Sequence, residues 1–258
     1  MLRLVDAPSA PSPPSPKDRF VTVFGRKPVL EALADADLRV DKVVLADNAR
    51  GTAAREILSA AAARSVRVER ASAHRVKVLA GNGKQDQGVL ADVVAPRMRR
   101  LSDALAAGSL ATVLLLDGIT TPANVGMILR TATAAGVDGI VVPRRGVASL
   151  DPLVVKASAG VAFHAPVLRC YTAAEAAKEL RAAGFPLFAL EGSARSSLFT
   201  AELPRRAAYV LGGETDGIGE DVRASVTGSL SIPMAGGVES LNVASAAAVL
   251  CFELVRRR

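Results

Sequence analysis

The run Thr-Val-Leu-Leu-Leu at 112–116 has no polar residue after its first, so both faces of that segment must be covered. A strand in this position belongs inside a parallel sheet with helices packed on either side. Similar short apolar runs recur at 140–142, 186–190, 209–211 and 229–232, separated by segments of helical period. The alternation predicts an α/β fold whose core is a mostly parallel sheet wound with helices. Ligands of such sheets lie beyond the carboxyl ends of the strands. The loops to inspect are therefore those at 117–125, 143–150, 212–220 and 233–240.

Ahead of this unit the chain divides into three stretches. Residues 1–19 hold five of the fourteen prolines, with Ser and Ala, and are expected to be a disordered tail. Residues 20–95 form a small α/β unit: an extended piece and a helix with Pro28 in its first turn, then strands at 40–46, 66–69 and 88–94 with helices at 52–64 and 72–79. Within it, residues 80–88 make a glycine-rich loop with Lys84 and two glutamines, able to offer backbone donors and a cation to phosphate or simply to turn the chain. Residues 96–109, where proline and charge interrupt the periodic segments, read as a linker to the unit at 110–258.

Charge separates the two units. Residues 17–100 carry 17 Lys and Arg against 10 Asp and Glu, whereas residues 101–258 carry 14 of each, so the excess positive charge lies in the first third. Such a distribution suits a polyanion-binding module on a neutral body, because phosphate contacts dominate non-specific nucleic-acid affinity. A solvated arginine-rich surface would give the same count. Aromatics in that third are limited to Phe20 and Phe24, which argues against a base-stacking platform there. No apolar run reaches the roughly 18 residues of a membrane span, and the start lacks the basic-then-apolar order of a signal peptide. The chain is expected to be soluble and cytoplasmic, with no membrane partner. Two cysteines cannot build a disulfide framework, and His74 and His164 have no neighbour at ligand spacing, so no metal is expected.

Three loop segments carry chemistry. The first has Asn124 and, six residues on, Arg130, within a helix expected to start near Asn124. An arginine in an otherwise apolar helix is costly unless it is paired, with Glu214 the obvious partner, or used at a site. The second, Gly212-Gly-Glu214-x-x-Gly217, lacks the Gly-x-Gly-x-x-Gly pattern and position of a dinucleotide fingerprint, which excludes a Rossmann dehydrogenase. The third runs from Ile232 through Pro233 and Met234 to Ser240, Leu241 and Asn242. It leads from a buried strand, through a loop that cannot be regular, into an almost wholly apolar helix at 241–255, with Ser240 at the expected N-cap.

In this order and spacing, the three segments resemble the signature motifs of the SpoU, or TrmH, family of RNA ribose 2′-O-methyltransferases. Residues 20–95 resemble the ribosomal-protein-L30e-like substrate-binding domain of the branch that modifies 23S ribosomal RNA. The resemblance implies S-adenosyl-L-methionine as cofactor and a catalytic domain closed by a trefoil knot. It implies a cofactor site on Leu211, Gly212, Glu214, Ile232, Met234, Leu241 and Asn242, with backbone groups around Gly212 and Ile232 holding adenine and ribose. Arg130, Asn124, Glu214, Ser240 and Asn242 are the implied catalytic set. A homodimer through the C-terminal helix and the first catalytic-domain helix is also implied, letting Arg130 of one chain serve the pocket of the other. Thr121 and Ala123 stand where relatives often have an acidic residue and a histidine, and Thr215 where glycine is common; these departures bear on substrate choice. The alternative readings are a tRNA 2′-O-methyltransferase and a non-catalytic RNA-binding ribosome-assembly factor.

Overall fold

The computed structural model describes residues 18–81 and 86–258. The expected tail up to residue 17, and Lys84 of the candidate phosphate loop, lie outside the described residues.

The first unit is a four-stranded sheet with helices on both faces. Its elements are β1 (Phe20–Phe24), α1 (Arg26–Ala34), β2 (Val40–Ala46), α2 (Thr52–Ala63), β3 (Arg67–Ala71), α3 (Ala73–Ala80) and β4 (Val89–Val94). The strand order is β1-β4-β2-β3, with β4 antiparallel to both neighbours and β2 parallel to β3. Alternation along β2 sorts its side chains: Val43 and Leu45 pack with Val29, Leu33 and Ile57 of α1 and α2, while Val44 and Ala46 pack with Val76 of α3. Some of the positive charge in this unit is spent on its own construction. The Arg64 guanidinium donates to the carbonyls of Ala32, Leu33, Asp35 and Leu38, closing the carboxyl end of α1. Gln87 accepts from the Arg26 N–H at the amino end of the same helix, 3.0 Å away.

The second unit contains β5 (Arg99–Arg100), α4 (Leu101–Ala106), β6 (Thr112–Leu116), α5 (Pro122–Ala134), β7 (Gly139–Pro143), α6 (Pro152–Ala157), β8 (Val167–Cys170), α7 (Ala173–Ala182), β9 (Leu187–Leu190), β10 (Ser196–Ser197), β11 (Ala207–Leu211), α8 (Glu220–Arg223), β12 (Gly228–Ser231) and α9 (Val243–Arg256). Its strands form one sheet in the order β10-β12-β9-β11-β6-β7-β8-β5, and every recorded pairing is parallel. The segment expected as a linker thus supplies the edge strand β5 and the helix α4, whose Leu101 and Ala104 are buried under the sheet.

Strand β6 explains why its sequence is apolar throughout. Val113 and Leu115 face the layer of α4, α7 and α8, and Leu114 and Leu116 face that of α5, α6 and α9. All four are fully buried. The strand at β8 and the helices between residues 145 and 185 were not legible from apolar runs, because Arg169 interrupts the strand and α7 is rich in alanine and charge.

Helices α5 and α6 meet at Gly126. A Cβ placed there would lie 2.6 Å from Ala157 Cβ and 2.7 Å from the Val154 carbonyl oxygen, so the packing requires a residue without a side chain. Gly126→Ala gains about 1 kcal/mol of helix propensity but forces apart backbone in a filled core. The expected outcome is a net loss of about 1–3 kcal/mol in urea unfolding; a variant as stable as the wild type would show that the two helices can separate freely.

Candidate active site

Chain order reverses between β6 and β11. From β6 the sheet grows through β7 to β8, whereas β11, β9 and β12 lie on its other side. A crevice therefore opens beyond the carboxyl ends of these strands. Two loops meet across it, largely through backbone. The Asp117 N–H donates to the Leu211 carbonyl at 2.9 Å, and the Asp117 carboxylate accepts from the Gly219 N–H at 2.8 Å. A Cβ on Gly213 would fall 2.4 Å from the Gly118 oxygen, and one on Gly212 would fall 2.5 Å from the Gly217 carbonyl carbon. The glycines of the second segment are there because main chain touches main chain.

Asn242 joins the three segments. It is the N-cap of α9, and its Oδ1 accepts from the Ala244 and Ser245 N–H groups at 2.9 and 3.4 Å. With the oxygen committed to the helix, the amide nitrogen points away from it. Nδ2 donates to Asn124 Oδ1 at 3.1 Å and to Glu214 Oε1 at 2.5 Å. Asn124 is buried in the first turn of α5, and Glu214 stands in the loop after β11. The carboxylate also lies close to the positive end of α9, which favours its charge. The helix begins two residues later than expected, and Ser240 is not its cap: Asn caps as well as Ser, and Asn242 also has partners for its nitrogen.

Around this node lies a cleft of about 670 Å³. Of the residues singled out in the sequence, Leu211, Gly212, Glu214, Ile232, Met234, Ser240, Leu241 and Asn242 line it, and Asn124 supports it through Asn242. Arg130 does not line it. Six residues along α5, at about 100° each, separate it from Asn124; it is exposed and makes no salt bridge among the described residues. The expected pairing of Arg130 with Glu214 is therefore absent, since Asn242 holds the carboxylate and helix rotation carries the guanidinium elsewhere. α9 is also less buried than its composition suggested, with Phe252 and Val255 exposed.

One wall was overlooked. Leu190, Glu191, Gly192 and Ser193, after β9, line the cleft together with Ile218 and Arg223. Glu191 and Arg223 are joined by a 2.6 Å ion pair, and a Cβ on Gly192 would come 2.8 Å from the Glu239 carbonyl oxygen, so this loop abuts the one leading to α9. The strand at 186–190 was recognised, and the rule that sites follow carboxyl ends would have found its loop.

Comparison with known proteins follows from this geometry. The sequence model of the SpoU rRNA Methylase family matches residues 111–252, and that described as RNA 2'-O ribose methyltransferase substrate binding matches residues 22–99. The chain is 40% identical over 182 residues to a 23S rRNA (guanosine-2'-O-)-methyltransferase from Xylella fastidiosa, covering 69% of this chain and 73% of that one. It is 36% identical over 228 residues to the protein of the same name from Xanthomonas axonopodis pv. citri, covering 87% and 91%. Among solved structures, it is similar to the SpoU methyltransferase AviRb from Streptomyces viridochromogenes in complex with AdoMet (S-adenosylmethionine). There the identity is 25%, the TM-score 0.60, and the coverage 92% of this chain and 89% of that one.

The lining suits that cofactor. The volume lies within the roughly 300–1,000 Å³ of small-molecule sites. Leu190, Ile218, Ile232, Met234 and Leu241 offer apolar surface for an adenine ring and the methylene groups beside the sulfonium, and the carboxylate of Glu214 offers a counter-charge for a cationic ligand.

Two substitutions separate the capping and joining roles of Asn242. Asn242→Ala should cost about 1–2 kcal/mol of stability by loss of the cap and weaken S-adenosylmethionine binding at least about tenfold, some 1.4 kcal/mol. Asn242→Asp keeps the capping oxygen but sets a carboxylate against Glu214, so it should melt near the wild type yet bind as poorly as the alanine variant. Calorimetric titration beside thermal melting reads both. Wild-type affinity in Asn242→Asp would remove the joining role.

Proposed function

The chain belongs to the SpoU rRNA methylase family, and on that premise we propose that it methylates a ribose 2′-hydroxyl of 23S ribosomal RNA, with S-adenosylmethionine as methyl donor. The observation that carries the proposal is the Asn242 node, which draws the three signature segments together around one cleft. The first unit, by its match to the substrate-binding family, is the module that docks the RNA, and the enzyme works in the cytoplasm. The trefoil knot is part of the same proposal.

When bound, S-adenosylmethionine supplies an electrophilic methyl group on a sulfonium sulfur. The chain contributes chiefly position, since holding a hydroxyl oxygen in line with its target removes much of the entropic barrier. Leu211, Gly212, Ile232, Met234 and Leu241 hold the donor, Asn124 and Asn242 fix the Glu214 carboxylate, and Ser240 orients groups at the mouth. Arg130 comes from a second copy. Met127 lies three residues before it on α5, and Phe252 and Val255 sit three apart on α9, which packs against α5; all three apolar side chains are at least 37% exposed. Residues at that spacing share a helix face, and an exposed apolar stripe on two adjoining helices is what a twofold dimer would cover. A dimer built there brings Arg130 of one chain towards the cleft of its partner.

Arginine is a poor proton acceptor, because the guanidinium stays charged and has no lone pair to offer. Its role in this scheme is to hold the neighbouring phosphate and to stabilise the developing alkoxide as its proton leaves to water.

Label from methyl-labelled S-adenosylmethionine should therefore appear in a 2′-O-methylnucleoside when the protein acts on unmodified 23S RNA. Arg130→Ala should lower kcat by about 10²–10³-fold while leaving cofactor affinity within about twofold. Label in a base, or none at all from a protein that binds the cofactor, would contradict the assignment; label in tRNA alone would move the substrate to that class.

A further inference from the structure

The carboxyl ends of β7 and β8 carry a feature that the methyl-transfer site does not use. The parallel ladder continues past both strands: the Arg144 N–H donates to the Cys170 carbonyl at 3.1 Å, and the Arg145 N–H to the Tyr171 carbonyl at 3.0 Å. Arg145 and Tyr171 are thereby held side by side on rigid backbone, with the guanidinium carbon 5.4 Å from the ring centroid. Both side chains are exposed, Tyr171 by 52%. Arg145 has no salt bridge among the described residues. Glu175, the carboxylate nearest Tyr171 in sequence, is engaged by the Thr172 N–H in a capping box.

The surroundings are positive. Behind the pair, Arg144 bonds Asp18, Arg100 bonds Asp103, and the Arg169 guanidinium donates to the Val142 carbonyl at 2.7 Å. Counting Glu175, four arginines thus stand with three carboxylates. The same edge reaches the loop that opens into α5. The Ala148 N–H, in the loop after β7, donates at 2.9 Å to the Ile119 carbonyl, in the loop that opens into α5. β8 stands three strands from β11, whose loop lines the cleft, about 14 Å at the usual spacing.

A planar cation beside an exposed ring matches single-stranded nucleic acid, in which phosphates pair with guanidinium groups and bases stack on aromatic faces. The first unit presents no exposed Phe or Tyr for stacking, since Phe24 is buried and Phe20 half-buried. We propose that Arg145 and Tyr171 form an RNA contact on the catalytic unit itself, the guanidinium holding a phosphate and the ring stacking on an unpaired base beside the methylated nucleotide. The proposal rests on the 2′-O-methyltransferase reading and adds the residues that present the strand. An exposed cation–π pair serving only the surface would leave RNA affinity untouched.

The test uses the full-length protein and an unmodified 23S RNA transcript, with binding and methyl transfer measured separately. Tyr171→Ala should raise both Kd and KM for the transcript about tenfold, with kcat and S-adenosylmethionine affinity within about twofold of wild type; the effect corresponds to base stacking. Tyr171→Phe, which keeps the ring, should bind as the wild type does. Arg145→Ala should lower the slope of log Kd against log salt by about one, the signature of one lost phosphate contact. Wild-type Kd and salt slope in both alanine variants would overturn the proposal, and equal losses in Tyr171→Phe and Tyr171→Ala would overturn the stacking role. RNA binding that depends on these residues without any methyl transfer by the wild type would instead refute the enzymatic reading and leave the RNA contact standing.

Discussion

The side-chain amide of Asn242 has two donor hydrogens and two acceptor lone pairs, and the fold uses all four. Two bonds cap α9, one reaches Asn124 on α5, and one reaches Glu214 in the loop after β11. These partners lie 118 and 28 residues away in the chain, so the contact forms only after the parallel sheet has brought three strand ends together. Conversely, the start of α9, the first turn of α5 and the glycine loop are set relative to one another by a single group. A cleft with walls from three loops needs such a fastening, because loops alone are the least constrained part of an α/β protein.

Small residues make the fastening reachable. Backbone contact between Gly118 and Gly213 lets the loops after β6 and β11 approach more closely than any side chain would allow, and that between Gly212 and Gly217 folds the second loop back on itself. Gly126 does the same for α5 against α6. The helices that carry Asn124 and Asn242 are thus placed by close packing, while polarity is confined to the few groups whose bonds are satisfied. Arginine serves two purposes in the same architecture. Arg64 closes a helix end from within, whereas Arg130 and Arg145 are exposed without carboxylate partners among the described residues, and the proposals assign them to a second chain and to an RNA.

Much of this was legible in the sequence because it follows from simple periodicities. The run at 112–116 announced a doubly covered parallel strand, and the glycine and proline clusters after the later strands marked the loops that line the cleft. The three-segment resemblance then supplied chemistry that spacing alone could not. What escaped had physical reasons. Residues 96–109 looked like a linker because a two-residue edge strand and a six-residue helix leave almost no periodic signal. Ser240 looked like the cap because local sequence does not reveal that Asn242 also has partners on two other loops. The alternative of an Arg130–Glu214 pair could not be decided from the sequence because the phase of a helix relative to its neighbours is a tertiary property. The Arg145 and Tyr171 pair joins residues of successive strand ends, which only the sheet register brings together.

The claim on which the catalytic account turns is that each site is completed by Arg130 of a second copy. Its most direct measurement is methyl transfer by heterodimers isolated after co-expressing differently tagged Arg130→Ala and Asn242→Asp chains. In such a heterodimer one cleft keeps Asn242 and receives an intact Arg130, while the other has lost both. The account predicts about half the wild-type activity per dimer, although either homodimer alone is nearly inactive. Heterodimers as inactive as the two parents would contradict it and require Arg130 to act, if at all, within its own chain.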